Sequence, residues 1–285
     1  MIHLQGLAHD PVSMGNKCPA LRSTAAGPPA PMSHLLASLP ARDLEAIQRD
    51  LDRIRLDQDR SLAHAHAPIR RVYFPESGLV ALSVTMADGR TTGVTVVGSE
   101  GIVGIAAAVD EVGTMDAAVL IPGVARSMSA ERFRAAVRAS DSVRRMVDGY
   151  AIALLAHLAH TVACNRLHSL DQRAARWLLL MRDRVGSPTF QLTQEAFADL
   201  LGVSRPAVST VGARFSREGA AEFRRGTVHI LDSAKLEGSS CECLAADRDL
   251  LEPAALPTTS SVQRLPRNLQ RTAMGMIRPE IRRAR

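Results

Sequence analysis

The sequence predicts an α+β chain made of an N-terminal β-roll, a long helix and a C-terminal winged helix-turn-helix. Three observations predict it. Short apolar runs between residues 72 and 121 alternate with Gly-, Pro- and Asp-containing punctuation, as antiparallel strands joined by tight turns do. From Ser129 the apolar spacing becomes three and four residues and keeps that period past residue 160. A pair of short helical patterns around Gly202 then runs into Phe223-Arg224-Arg225-Gly226-Thr227-Val228-His229-Ile230-Leu231, which reads as strand, basic glycine turn and strand.

In chain order, residues 1–33 read as a disordered leader, given Pro28, Pro29 and Pro31 and little periodicity. The β-roll is expected over 34–140. It opens with a helix from Ala41 to Ile54 on Leu44, Ile47, Leu51 and Ile54. Pro75-Glu76-Ser77-Gly78 reads as a turn before a strand from Leu79 to Met86. Asp88-Gly89 reads as a hairpin turn, because glycine accepts positive φ, with Thr92–Val97 returning. Ala117–Ile121 is a further strand, stopped by Pro122-Gly123. A helix over 130–139 follows, and Asp141 is expected to cap a long one over 141–168. Val143, Val147, Tyr150, Leu154, Leu158 and Val162 give that helix an apolar face, widened by Met146, Ala151 and Leu155. Such a face either packs on its own domain or forms a homodimer seam, and the seam is the expectation here.

The C-terminal domain is expected over 169–248, with a disordered basic tail over 249–285. Leu192, Thr193 and Phe197 have the spacing of an N-cap with a hydrophobic staple. Ala198, Gly202, Val208 and Val211 then have helix-turn-helix spacing, with Ser204 as second cap and Arg205-Pro206 in the opening turn, where proline's missing N–H costs nothing. In this fold the second helix enters the major groove of double-stranded DNA. Arg205 is the predicted base reader, since a guanidinium can bridge guanine O6 and N7, and Ser209 lies one turn on. Thr193, Ser204, Thr210, Arg224 and Arg225 are the predicted backbone contacts.

Charge agrees with a polyanionic partner. The net +6 is concentrated late: residues 164–230 hold ten basic against six acidic side chains, and 251–285 hold seven against two. No segment resembles a signal peptide, and the apolar run Ala151–Ala159 is short and interrupted by His157, so no membrane partner and a cytoplasmic location are expected. No nucleophile, base and orienter are recognisable, so the chain is not expected to be an enzyme. Cys241-Glu242-Cys243 is a closely spaced pair short of the four ligands zinc requires. His64, His66, His157, His160 and His168 lack a cysteine or carboxylate to complete a site. No metal is therefore expected.

Several stretches resemble the Crp/Fnr superfamily of transcriptional regulators: Leu39-Pro40, Val72–Gly78, Val97–Gly104, Thr161–Ser169, Arg176–Leu179, Leu192–Glu195, Leu201–Pro206 and Cys241–Cys243. The resemblance spans roughly 35–248. It implies a cyclic-nucleotide-binding-like sensor, a dimerisation helix and a DNA-binding domain that meets palindromic promoter sites as a homodimer, with RNA polymerase as a further partner. Relatives that bind the nucleotide follow a Gly-Glu pair with an Arg-Ser/Thr-Ala cassette. Glu100 matches the glutamate, but Val112–Ala118 offers no arginine and carries Asp116, which would repel a phosphate. A different effector, or none, is expected, with no cofactor assigned. Ala220 and Ala221 replace an apolar pair used to enter the wing, which predicts a looser wing and leaves open the alternative of an effector-binding protein with weakened DNA binding.

Overall fold

The computed structural model describes residues 32–109 and 112–251. The predicted leader and tail lie almost wholly outside these residues. At their edges, Ser33 is fully buried with its hydroxyl donating to the Ser99 carbonyl (3.0 Å), and the last helix runs through Leu251.

Two short helices, α1 (His34–Ala37) and α2 (Ala41–Gln48), precede an antiparallel sheet. Its strands are β1 (Asp52–Leu56), β2 (Ser61–Ala63), β3 (Arg71–Thr85), β4 (Thr91–Val97) and β5 (Asp116–Ser129), in the order β1-β5-β3-β4 with β2 also on β5. The predicted helix 41–54 is therefore too long. Leu51 keeps its buried place, but Ile54 pairs with Ala125 in the sheet, and that pairing overrides the local period.

The predicted turn at Pro75–Gly78 is also corrected. It is a set of bulges inside one continuous bent strand, with register shifts from Pro75 to Val80. Gly78 sits there at φ +78°, and a Cβ on Gly123 opposite would lie 2.1 Å from the Ser77 carbonyl oxygen. Turn chemistry serves a bulge as well as a loop, which is why the two read alike in sequence. Within the bulge Glu76 is buried and accepts from Arg53 (2.9 Å) and Arg126 (2.8 Å). The Asp88-Gly89 hairpin forms as predicted, with Gly89 at φ +84°.

Helices α3 (Ala130–Ala139) and α4 (Asp141–Leu167) follow; Ser140, not Asp141, caps α4 by accepting from the Val143 N–H. Val143, Met146, Val147, Tyr150 and Leu154 are buried against Phe74, Ile102 and Phe133 of the β-roll. Most of the predicted seam thus packs on its own domain. Leu155 and Val162 of the predicted face, with Ile152 and Ala159, form a stripe spaced three and four residues apart that is left exposed. By length and composition α4 could cross a membrane, but 44% of its apolar window is buried within the structure.

The C-terminal domain contains α5 (Leu170–Val185), β6 (Thr189–Gln191), α6 (Gln194–Leu201), α7 (Arg205–Arg217), β7 (Ala221–Arg224), β8 (Thr227–Ile230), α8 (Ser233–Gly238) and α9 (Cys243–Leu251). A capping box closes the start of α5, where Ser169 and Gln172 each satisfy the other's backbone N–H. The core of this domain continues into the β-roll through Leu79, Val96 and Ile121.

Candidate nucleic-acid interface

Thr193 caps α6, its hydroxyl accepting from the Ala196 N–H (3.1 Å), and Leu192 and Phe197 are buried on either side of that cap. Gly202, at φ +64°, ends α6 and frees the chain to turn sharply into α7. Val208, Val211 and Phe215 bury one side of α7 in the core that holds Ala198. Arg205, Ser209 and Thr210 are left exposed on its other side. Ser204 occupies the cap position without the predicted side-chain bond, so its hydroxyl is not committed to the helix.

The wing is the hairpin β7–β8, closed by Arg225 (φ +49°) and Gly226 (φ +77°). Two successive positive φ values define the primed turn that matches the twist of the strands. Beside it lies an open groove of about 450 Å³ lined by Thr193, Gln194, Glu195, Arg205, Phe223 and Arg225. Three predicted residues from three separate elements thus face one concavity. Arg205 and Arg225 have no hydrogen-bond or ion-pair partner among the described residues. Arg224 stands apart, paired with Glu222 at 2.9 Å, and the Thr210 hydroxyl donates to the Pro206 carbonyl (3.1 Å). Gln194 and Glu195 were not singled out by sequence; their place beside the cap of α6 was the available signal. Ala220 and Ala221 are fully buried beside Phe215 and Leu236.

Behind this surface lies a junction that sequence reasoning missed. His157 of α4 meets Asp247 of α9 through Nδ1 (2.8 Å) and the Thr95 hydroxyl of β4 through Nε2 (2.9 Å). Arg176 of α5 donates to the other Asp247 oxygen (2.6 Å) and to the Thr161 hydroxyl (3.1 Å), with its guanidinium 5.5 Å from the Trp177 ring. His157, Arg176 and Asp247 are wholly buried. Burial holds the His157 pKa below its ordinary value, and its bond to Asp247 opposes that shift without reversing it. Burial alone would raise Asp247, but its bonds to His157 and Arg176 prevail and hold it below the usual carboxylate range. The neutral imidazole therefore donates from Nδ1 to Asp247, and its Nε2 faces the Thr95 hydroxyl, which also reaches the Val96 carbonyl (3.2 Å).

Glu100, the residue matched to the nucleotide glutamate, is also engaged: it accepts from the Gly98 N–H (3.0 Å) and pairs with Arg184 of α5 at 2.9 Å. Asp116 accepts from the Ala65 N–H (3.1 Å) and the Thr85 hydroxyl (3.2 Å).

The expectation that no cysteine completes a histidine site is corrected. Cys164, His168, Cys241 and Cys243 converge, with one donor atom from each lying within 4.8 Å of every other. Cys164 and His168 are one helical turn apart at the end of α4, and the closely spaced pair of cysteines approaches from the start of α9. The spacing was visible in sequence; that the two halves meet was not.

A β-roll followed by a long helix and a winged helix, with unpaired arginines at the groove between α7 and the wing, defines a DNA-binding transcriptional regulator with a sensor domain. The model of a Crp-like helix-turn-helix domain matches residues 172–238, and that of a cyclic nucleotide-binding domain matches 53–140. The two matches together take in more than half of the chain, which belongs to the Crp/Fnr superfamily of transcriptional regulators. No curated protein sequence matches it at a significant level. Among solved structures it is similar to FixK2 from Bradyrhizobium japonicum, at 17% identity and TM-score 0.59, covering 67% of this chain and 98% of that one. It is also similar to a CRP-family transcriptional regulator from Thermus thermophilus, at 23% identity and TM-score 0.56, covering 67% and 99%. A third is the c-di-GMP-responsive global regulator CLP of Xanthomonas campestris, at 18% identity and TM-score 0.54, with the same coverage as the second. At these identities the likeness is one of fold.

Proposed function

We propose that the chain acts as a homodimer on two-fold symmetric double-stranded DNA, with α7 in the major groove and the wing on the flanking backbone. The observation that carries this reading is the groove, where Arg205 and Arg225 stand unpaired beside the Thr193 cap. Arg205, in the first turn of α7, reads base edges, and Ser209 extends that contact. Thr193, Ser204 and Arg225 position the phosphate backbone; Thr210 and Arg224, both engaged within the protein, contribute less.

Ile152, Leu155, Ala159 and Val162 supply the dimer seam, since their spacing is that of a two-helix contact and this stripe is left exposed while the opposite side of α4 is buried. The sensor is not read as a cyclic-nucleotide receptor: Glu100 is engaged by Arg184, and no arginine accompanies Asp116. The full burial of Ala220 and Ala221 argues against a decayed DNA-binding domain.

Selection of bound duplexes from a random library tests the reading. A two-fold symmetric consensus, unchanged in affinity by cyclic nucleotides, is expected. Recovery of no consensus, or of an asymmetric one, would overturn it.

A further inference from the structure

We infer that Cys164, His168, Cys241 and Cys243 form a tetrahedral zinc site that fastens the C-terminal helix to the end of the long helix. Three thiolates and an imidazole select zinc among the common divalent ions, and a site with four protein ligands is closed and structural. All three cysteines are buried.

The spacing fits a single ion. A tetrahedron with zinc–sulfur bonds of about 2.3 Å and zinc–nitrogen bonds of about 2.0 Å has sulfur–sulfur edges of about 3.8 Å and sulfur–nitrogen edges of about 3.5 Å. The Sγ atoms of Cys164 and Cys241 are 3.6 Å apart, and Cys243 Sγ lies 3.6 Å from His168 Nδ1. Donors this close enclose one ion and leave no room for a multi-iron cluster.

The surroundings favour a bound cation as well. The Nε2 of His168 lies 3.3 Å from a Glu242 carboxylate oxygen, so the ring donates outward and keeps Nδ1 as a lone-pair donor. Metal-binding histidines are commonly oriented by a carboxylate in this way. Arg176, held by Asp247, places a buried guanidinium near Cys164 and Cys243. On binding, the ion displaces three thiol protons and the site keeps one net negative charge beside that guanidinium. Cys243 is also the first residue of α9, four positions before Asp247. The ion therefore fixes the helix that supplies the only carboxylate bonded to Arg176 among the described residues.

The test is elemental analysis of the full-length protein, purified without chelator or affinity metal, followed by replacement of the metal with Co²⁺. One zinc per chain is expected, with cobalt giving the thiolate charge-transfer and ligand-field bands of a tetrahedral site. His168→Ala and Cys243→Ser should each lose most of the metal, while His168→Cys, which replaces the imidazole with a fourth thiolate, should keep it. Because a cysteine variant can fail to fold, His168→Cys and the cobalt spectrum of the unaltered chain decide the matter independently. A cooperatively folding protein without metal and without a cobalt spectrum would overturn the inference. So would full metal content in both loss variants, or a Cys164–Cys241 disulfide mapped in freshly isolated protein.

Discussion

At the groove beside the wing, Arg205 and Arg225 stand in solvent without a protein partner, and the elements that present them lie within one stretch of about forty residues. At the junction behind it, Arg176 is wholly buried and paired, and its partners come from residues as distant as Thr161 and Asp247. The two arginine environments follow opposite physics. An exposed arginine contributes little to folding and keeps its charge available for a polyanion. A buried one is costly to desolvate and is held only by a complete set of partners, so its role is to fix the relative placement of β4, α4, α5 and α9. Exposure thus separates the charges that serve recognition from those that serve architecture.

The largest expected effect breaks the junction. Asp247→Ala removes the shared partner of His157 and Arg176 and should cost roughly 3–5 kcal/mol of stability, the usual penalty for leaving a buried charge unpaired, read as the midpoint of denaturant unfolding. The same region predicts acid sensitivity. With His157 held below its ordinary pKa, the unfolded chain takes up a proton below about pH 6.5 that the folded chain refuses, so stability falls as pH falls. Asp247, also held low, has the same sign further into acid, because its contribution is lost as pH falls through its lowered pKa. A melting temperature that rises on acidification from pH 7 to 5 would show that His157 is charged in the fold.

Recognition should respond separately. Arg205→Ala is expected to leave the melting temperature unchanged and to cost about 1–3 kcal/mol of binding to the selected duplex, with little change on random DNA. Equal losses on both would move Arg205 from base reading to backbone contact. Thr193→Ala removes a helix cap beside the groove and so touches stability as well as binding; it should lower stability by about 1 kcal/mol. The smallest effect is that of Arg225→Ala, a uniform weakening across sequences with the salt dependence of binding reduced by about one charge. A sequence-selective loss there would give the wing a reading role.

The groove beside the wing was legible because its signals are short-range. The Thr193 cap, the Gly202 break, Pro206 in an opening turn and the Arg225-Gly226 tip are each set by a few neighbouring residues. The strands at Thr91–Val97 and the 130–139 helix were legible for the same reason. Other features depend on partners far along the chain. Ile54 joins a strand because Ala125 is opposite it, and the bulge at Gly78 exists because Gly123 lacks a side chain. His157 reads as one more residue on an amphipathic helix until Thr95 and Asp247 are brought to its two nitrogens. The cysteines and His168 are likewise separated by more than seventy residues and meet only through the packing of α9 on α4.

In the proposed dimer, the division of the long helix would also tie the regulator's output to its own abundance. The first half of α4 packs on the β-roll, while the stripe from Ile152 to Val162 is left exposed, where the proposed dimer would seat a second chain. Assembly of that dimer would follow mass action, so the amount of protein in the cell would become a control variable in its own right. Where single chains predominate, halving their concentration lowers the paired form roughly four-fold. Promoter occupancy would accordingly switch over a narrower range of expression than a one-chain binder allows, before any effector is considered.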